Sequence, residues 1–458
     1  MATGESSFVS VGDYIEAQET SARQVLLLVL AGSVIFLDGL NTQSISVVTK
    51  SMSIGLGIGL SKFGLVYAAL QGGGIIGTFM VGYFGDRYGR KMMVAGSAFA
   101  IAIISLMTAY ATTIWELTVL RFLIGIALGG AFPSVMALGS EYVRASRRAT
   151  IVSVLLANYS LGAATGAIVN GYVLRHYHWQ AVFLADGCAS LTIAVITLIF
   201  LRESPHYLYV KGEAAAAGRA LRYLFPSGDR FSLRPPAPFV PACATSAPRA
   251  PLNAIFSENR AGATIALLAV LATSQATIKV MTVWLTPLQQ AAGVSIRETS
   301  YILASLDVGS MLGLGFAGYI VTLLGPRKLL GPSLILLSLA TAAIAFFMHS
   351  FAAVIPAGFV IGFAGGLGQS APLALIAATY ATEIRSTALG VGNMSKQVGS
   401  MLSPLLVGFL VALGWKSDSI LYVVAAIPLI GILFFVSYVR RSAMRQSGVP
   451  AAQARDAT

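Results

Sequence analysis

Asp38, Arg121, Asp186, Lys279, Asp307 and Lys396 each stand inside a long apolar stretch of the sequence. An ionisable group in hydrocarbon costs at least about 2.5–3.5 kcal/mol, so it faces a cavity or a partner and marks a place where charge is handled. Asp38 lies in Phe36-Leu37-Asp38-Gly39-Leu40-Asn41-Thr42, a small polar face on an otherwise apolar run. A carboxylate taken out of water favours its neutral form and can exchange a proton near neutral pH, as a proton carrier must. A structural acid paired with a lysine or arginine is the other reading. Arg121 opens a run ending in Gly129-Gly130. Its planar fork can clamp a carboxylate through two parallel hydrogen bonds. Lys279 can hold an anionic ligand, or neutralise Asp307 or Asp38. Lys396 poses the same choice, and Asn41, Asn158 and Tyr159 lie close to these charges in sequence or repeat position. Asp186 has no obvious partner.

A second set of charges lies at the ends of apolar runs. Gly82-Tyr83-Phe84-Gly85-Asp86-Arg87-Tyr88-Gly89-Arg90-Lys91 sits between two such runs, its glycines allowing a tight reversal. Asp86, Arg87, Arg90, Glu141, Arg148 and Arg385 are expected to form a gate at one end of the molecule. Glu141 is expected to pair there with nearby arginines such as Arg87, Arg144 or Arg148, or to be a solvated acid at a helix end. Phe36, Tyr67, Tyr159, Trp284, Tyr301 and Tyr380 could sandwich a flat ring, although most such aromatics face lipid or anchor at the interface.

The elements that must carry these residues follow from composition. The chain has 458 residues, 56% hydrophobic and 10% charged. Soluble domains carry about 25% charged residues, so the solvent for most of this chain is lipid. The net charge of +12 therefore raises a question of placement and is no argument for nucleic acid. Cys188 and Cys243 form no disulfide framework and have no metal spacing. A crossing helix needs about 20 apolar residues. Twelve runs meet that length: 23–46, 62–83, 92–110, 115–138, 149–173, 180–201, 261–290, 299–323, 329–349, 353–378, 387–413 and 419–439. The polar tail 1–22 carries Glu5, Asp13, Glu16 and Glu19, unlike a signal peptide. The stretch 202–260 is rich in proline and arginine and reads as a linker with a short helix near Glu213–Leu224.

Most of the 30 cations fall in the tails, the linker and the even-numbered loops, while Lys50, Lys62, Arg175, Arg297 and Lys416 fall in the odd-numbered ones. Positive charge stays inside, which places both termini and the linker in the cytoplasm. The two halves also repeat. An offset of 236–237 residues carries Arg23 to Arg260, Gly73 to Gly309, Gly77 to Gly313, Gly89 to Gly325, Gly125 to Gly362, Arg148 to Arg385 and Gly162 to Gly399. The second half has Thr322 where the first has Asp86.

The loop pattern G-x-x-x-D-R-x-G-R-K resembles the signature between helices 2 and 3 of the major facilitator superfamily of transporters. Three further stretches resemble its aromatic acid:proton symporter family. Asp38-Gly39-Leu40-Asn41 is similar to D-G-x-D. The run from Arg121 through Pro133 to Glu141-Tyr142 is similar to R-F-x-x-G-x-x-L-G-G-x-x-P…S-E-Y. Tyr380…Arg385-Ser386-Thr387 is similar to the family's later loop. The resemblance implies an all-α integral membrane protein of two parallel six-helix bundles, 23–201 and 261–439, with the substrate near the midplane between the halves. It implies a monomeric carrier in the inner membrane, using protons and no other cofactor, that imports a small aromatic carboxylate such as a hydroxybenzoate. It also departs from the pattern: Asn41 replaces the second acid, and Lys396-Gln397-Val398-Gly399 stands where the family has an arginine. Lysine lacks arginine's fork, so the substrate need not be the same.

The expected mechanism is alternating access. Asp38 carries the proton, and Arg121, Lys279 or Lys396 meets the substrate carboxylate. Asn158 and nearby aromatics contact the ring. A symporter of another small carboxylate or metabolite is the alternative, followed by a carrier of sugar-like solutes. Glu203-Ser204-Pro205-His206 resembles the E-S-P-R of sugar porters, but Thr273-Ser274-Gln275-Ala276 departs from their next motif. A ligand-binding membrane sensor would need an output domain, for which the linker is too short and too rich in proline. No nucleophile–base set, metal cluster or nucleotide loop argues for an enzyme.

Overall fold

In hydrocarbon every backbone N–H and C=O must be satisfied within its own segment, so each apolar run is bound to become a helix. The computed structural model describes residues 8–226, 232–233, 255–257 and 260–446. Among them are twelve helices long and apolar enough to cross a membrane. In chain order the elements are β1 (Phe8–Val9), α1 (Val11–Ala17), α2 (Ala22–Gly55), α3 (Phe63–Tyr88), α4 (Arg90–Thr108), α5 (Ile114–Glu141), α6 (Ala145–His176), α7 (Trp179–Phe200), α8 (Pro205–Val210), α9 (Ala214–Leu224) and β2 (Ser232–Leu233). They continue with α10 (Ala261–Ala291), α11 (Ile296–Leu324), α12 (Pro326–Phe346), α13 (Phe351–Thr379), α14 (Thr382–Ala412) and α15 (Ser417–Gln446).

Local chemistry sets the helix ends. Thr113 and Glu116 form a capping box at the start of α5, as Ser295 and Glu298 do for α11, each satisfying backbone donors the helix leaves over. Helix α2 runs well past the expected end at residue 46. Polar side chains in the extension bond back into the helix, as where Thr49 Oγ1 donates to Ile45 O at 2.5 Å. The linker helix lies where expected, as α9. Most of the proline-rich stretch, 227–231 and 234–254, lies outside the described residues.

The chain divides into two compact units. One comprises Met1–Ser44, Gly72–Gly166 and His176–Ser246, the other Ile45–Gln71, Ala167–Arg175 and Ala247–Thr458. At one end of the first unit, Val11, Tyr14 and Ile15 of α1 join Leu138 and Tyr142 at the end of α5 and Leu221, Leu224 and Phe225 at the end of α9 in one apolar cluster. Polar bonds fasten this strap. Ser21 donates to Leu224 O, Arg144 to Gln18 O, and Arg147 Nη1 to Thr20 Oγ1 at 2.7 Å. The β1 strand pairs in parallel with β2. The second unit has its own core, centred on Leu267, Val270, Leu330, Leu334, Ala371 and Leu375.

The repeat in the sequence is a repeat in packing. A Cβ on Gly73 of α3 would lie 2.0 Å from Phe122 O of α5, and one on Gly309 of α11 would lie 2.1 Å from Phe359 O of α13. Likewise Gly162 of α6 meets Phe36 of α2, and Gly399 of α14 meets Ala272 of α10. The glycine before each third helix of a half, Gly89 and Gly325, has a positive φ of 95° and 78°, a conformation that side chains rarely adopt.

Candidate functional site

The first unit carries a polar ladder built by helical spacing. On α7, Phe183, Asp186 and Ser190 are three and four residues apart, so they share one face. On α2, Asn41 and Ser44 are three apart. The two faces meet: Asn41 Nδ2 donates to Ser190 Oγ at 3.3 Å, and Ser44 Oγ donates to Asp186 Oδ2. Ser105 of α4 donates to Asn41 Oδ1 at 2.7 Å. Arg121 of α5 is 1% exposed. Its guanidinium lies 4.8 Å from the centroid of the Phe183 ring and interacts electrostatically with Asp186. Asp186, without an assignable partner in the sequence, thus finds one in Ser44 of α2.

Asp38 lies near the middle of α2, 6% exposed, and accepts a bond from Thr42 Oγ1 at 3.4 Å. The backbones of α2 and α6 touch beside it. A Cβ on Gly39 would come within 2.0 Å of Tyr159 O, and one on Gly32 within 2.9 Å of the Asn158 amide nitrogen. Asp38, Asn41, Asn158 and Tyr159 therefore belong to one stretch of the α2–α6 and α2–α7 packing in the first unit.

At the loop end of this unit, Glu141 pairs with Arg90, Oε1 to Nε at 3.6 Å. Its partner is thus a nearby arginine, but Arg90 rather than Arg87, Arg144 or Arg148: α4 starts at Arg90, which turns that residue back toward the end of α5. Arg144 and Arg147 are engaged by the N-terminal strap, and Arg148 is exposed. Arg90 also lies over the Tyr207 ring, 5.2 Å from its centroid, and Tyr207 Oη donates to Arg87 O at 3.0 Å. The Asp86 side chain lies outside the described residues.

Glu203, which the sequence did not single out for this role, organises the cluster. Its Oε1 accepts from the backbone N–H of Arg90 at 3.0 Å, of Lys91 at 3.2 Å and of Ser204 at 3.0 Å, capping α4 from the linker. Burial pushes its carboxyl above the ordinary 4.5, against the pull of those three backbone bonds and of the Arg90 charge. The Glu-Ser-Pro string held the signal, because Pro205 and Ser204 start α8 and leave Glu203 free to reach Gly89.

In the second unit, Lys279 of α10 and Asp307 of α11 are buried, and each makes polar or electrostatic contacts. Lys396 of α14 differs. It is half-buried, and no hydrogen-bond or ion-pair partner meets it among the described residues. Burial without a counter-charge suits a site that receives an anion. Arg385 Nε donates to Tyr380 O at 3.4 Å, and Tyr380 Oη is 2.5 Å from Thr264 Oγ1. Tyr67 and Trp284 pack edge-on, 5.4 Å apart, with Tyr67 Oη 2.6 Å from Thr49 Oγ1 and Trp284 Nε1 donating to Pro404 O at 3.2 Å. Tyr301 is 40% exposed.

The sequence is similar over nearly its whole length to curated transporters. It is 27% identical to the 4-hydroxybenzoate transporter PcaK of Pseudomonas aeruginosa over 90% of this chain and 92% of that one. It is 27% identical to a gallate transporter of Pseudomonas putida, over 86% and 88%. It is also 27% identical to the 3-(3-hydroxy-phenyl)propionate transporter of Escherichia coli, over 92% and 96%. Among solved structures, a bacterial homologue of the human lysosomal transporter Spinster matches with a TM-score of 0.71 at 14% identity, covering 92% of this chain and 98% of that one. The nucleoside transporter NupG matches at 0.69 and 14%, over 92% and 99%. The family model of the Major Facilitator Superfamily matches residues 31–315 and 267–457. With twelve apolar helices packed as a twofold repeat and a family model that spans both halves, this chain belongs to the major facilitator superfamily of transporters.

Proposed function

We propose that this protein is a proton-coupled symporter that imports a small aromatic carboxylate, such as a hydroxybenzoate, by alternating access across the inner membrane. The observation that carries the reading is the nearly full-length similarity to three transporters named for aromatic acids. Asp38 takes the proton: it is a buried acid at mid-helix, beside a small polar face and the close α2–α6 contact. Lys396 receives the substrate carboxylate, because it is a half-buried cation in an apolar helix with no counter-charge among the described residues. Arg121 and Lys279 supply further positive charge, and Asn41, Asn158, Tyr159 and Asp307 meet the ring or its hydroxyls. Asp86, Arg87, Arg90, Glu141, Arg148 and Arg385 gate the end nearest the linker. Coupling follows from charge. A proton and an anion neutralise one another, so the empty and the fully loaded carrier reorient cheaply and the half-loaded one does not.

The test is uptake of radiolabelled 4-hydroxybenzoate into proteoliposomes, with and without an inside-alkaline pH gradient. Accumulation that needs the gradient and is blocked by a protonophore is the expected result. Asp38→Asn should abolish accumulation, and a variant that still concentrates substrate would remove Asp38 from the proton path. Absence of uptake across a panel of benzoates would overturn the substrate assignment.

A further inference from the structure

We propose that the linker end of the first unit holds an anionic phospholipid headgroup, its phosphate gripped by Arg23 and Arg202 beside the Tyr223 ring. The inference does not depend on which solute the protein carries. It starts from two cations that share one ring. The guanidinium carbon of Arg23 lies 5.0 Å from the centroid of Tyr223, and that of Arg202 lies 4.8 Å from the same centroid. Arg23 Nη1 also donates to Tyr223 O at 3.3 Å, which leaves most of its five donors unused. Neither arginine forms an ion pair among the described residues. Other charges at this end are answered. Arg90 pairs with Glu141, and Arg144 and Arg147 bond to the N-terminal strap. Glu203, next in sequence to Arg202, turns its carboxylate to the backbone N–H groups of Arg90 and Lys91. Arg23 and Arg202 are both exposed, as are Arg219 and Arg222 on α9, the helix that carries Tyr223. Like charges held around one ring repel, and an anion within reach of both relieves that repulsion. The planar fork of arginine matches the oxygens of a phosphate.

The place of the two arginines selects a lipid phosphate. Arg23 opens α2 and Arg202 follows the end of α7, so both stand where an apolar span leaves the hydrocarbon. Exposed apolar side chains begin within two turns of them: Val25 and Val29 on α2, Ile199 and Phe200 on α7. A headgroup at the arginines would lay its acyl chains along that surface, whereas a free phosphate would leave it unused. Basic clusters at the end of a membrane span attract anionic lipid, each cation adding to the attraction.

The experiment titrates phosphatidylglycerol or phosphatidylcholine into the full-length, detergent-purified protein. Native mass spectrometry reads the bound lipid, and Tm reads its effect on stability. Wild type should bind phosphatidylglycerol at least about tenfold more tightly than phosphatidylcholine, and only the anionic lipid should raise Tm. Arg23→Gln or Arg202→Gln should weaken phosphatidylglycerol binding about fivefold, and the pair together roughly thirtyfold. Phosphatidylcholine binding should stay unchanged in all of them. The control Lys328→Gln/Arg440→Gln removes two exposed cations from helix ends of the second unit and should keep binding within about twofold of wild type. A control that loses as much as the Arg23/Arg202 pair would overturn the site, because bulk charge would then account for the attraction. Equal binding of the two lipids by wild type would overturn it as well, and that comparison holds even where a glutamine variant fails to fold. Inorganic phosphate is the third arm. A rise in Tm with inorganic phosphate equal to that with phosphatidylglycerol would overturn the lipid as the occupant.

Discussion

At the scale of single residues, a few charges differ in how completely their surroundings answer them. Lys396 has no answering charge among the described residues, and a carboxylate arriving there would form a charge-assisted hydrogen bond worth about 1.5–3 kcal/mol. Lys396→Gln should therefore raise KM for 4-hydroxybenzoate by about 10–100-fold with little change in Tm, while Lys396→Arg should keep most of the affinity. Glu203 is the opposite case, a carboxylate surrounded by donors but short of water. Its folded-state value lies above the ordinary 4.5, so the folded protein holds this proton more tightly than the unfolded chain. The protonated form thus adds stability that is complete below 4.5 and lost as pH rises through the folded value. Glu203→Gln should flatten the change in Tm between pH 4.5 and neutrality. Glu203→Ala, which removes the cap on Arg90 and Lys91, should cost about 0.5–2 kcal/mol. Thermal unfolding of the purified variants across pH reads both.

At the scale of elements, the helices are held at close range by glycines whose missing Cβ is replaced by a neighbour's backbone. A methyl on Gly162 would lie 1.9 Å from Phe36 O, and one on Gly399 would lie 2.3 Å from Ala272 O. Backbone atoms cannot rotate away, so Gly162→Ala and Gly399→Ala should each destabilise by about 1–3 kcal/mol. Gly315→Ala, with nothing within 4 Å, should be neutral or gain up to about 1 kcal/mol from helix propensity. The amount of folded protein surviving a heating series in detergent distinguishes the two outcomes. These contacts also explain what the sequence could and could not reveal. The pairing of Gly162 with Gly399 was visible as a repeat, because a requirement for no side chain shows in the letters themselves. The partner of Asp186 was not, since Ser44 lies 142 residues away and any of several helix faces could have met it. Glu141 shows an intermediate case. Its place at a helix end was legible, but the choice of Arg90 over three nearby arginines depended on where α4 begins.

At the scale of the whole molecule, the twelve spans and the twofold repeat were readable, because a chain in lipid must satisfy its backbone locally and therefore advertises its helices by length and apolarity. The N-terminal strap was not readable from that rule. Val11, Tyr14 and Ile15 do recur at helical spacing, but α1 is short and carries Asp13 and Glu16, and its apolar face is buried by tertiary contacts. The strap is therefore testable as a unit. Replacing Val11, Tyr14 and Ile15 together by serine should release the tail, lower Tm by several degrees and open residues near 10–20 to protease, while the membrane helices stay intact by circular dichroism.

The strap also has a consequence for how the protein is made. Ser21 reaches the carbonyl of Leu224, 203 residues downstream, and the other apolar partners of α1 include Leu221 and Phe225. A ribosome delivers the tail before any of them exists. A segment made so long before its partners is thus among the last in its unit to find its place, and it settles only after the six spans that separate it from them have been laid into the membrane.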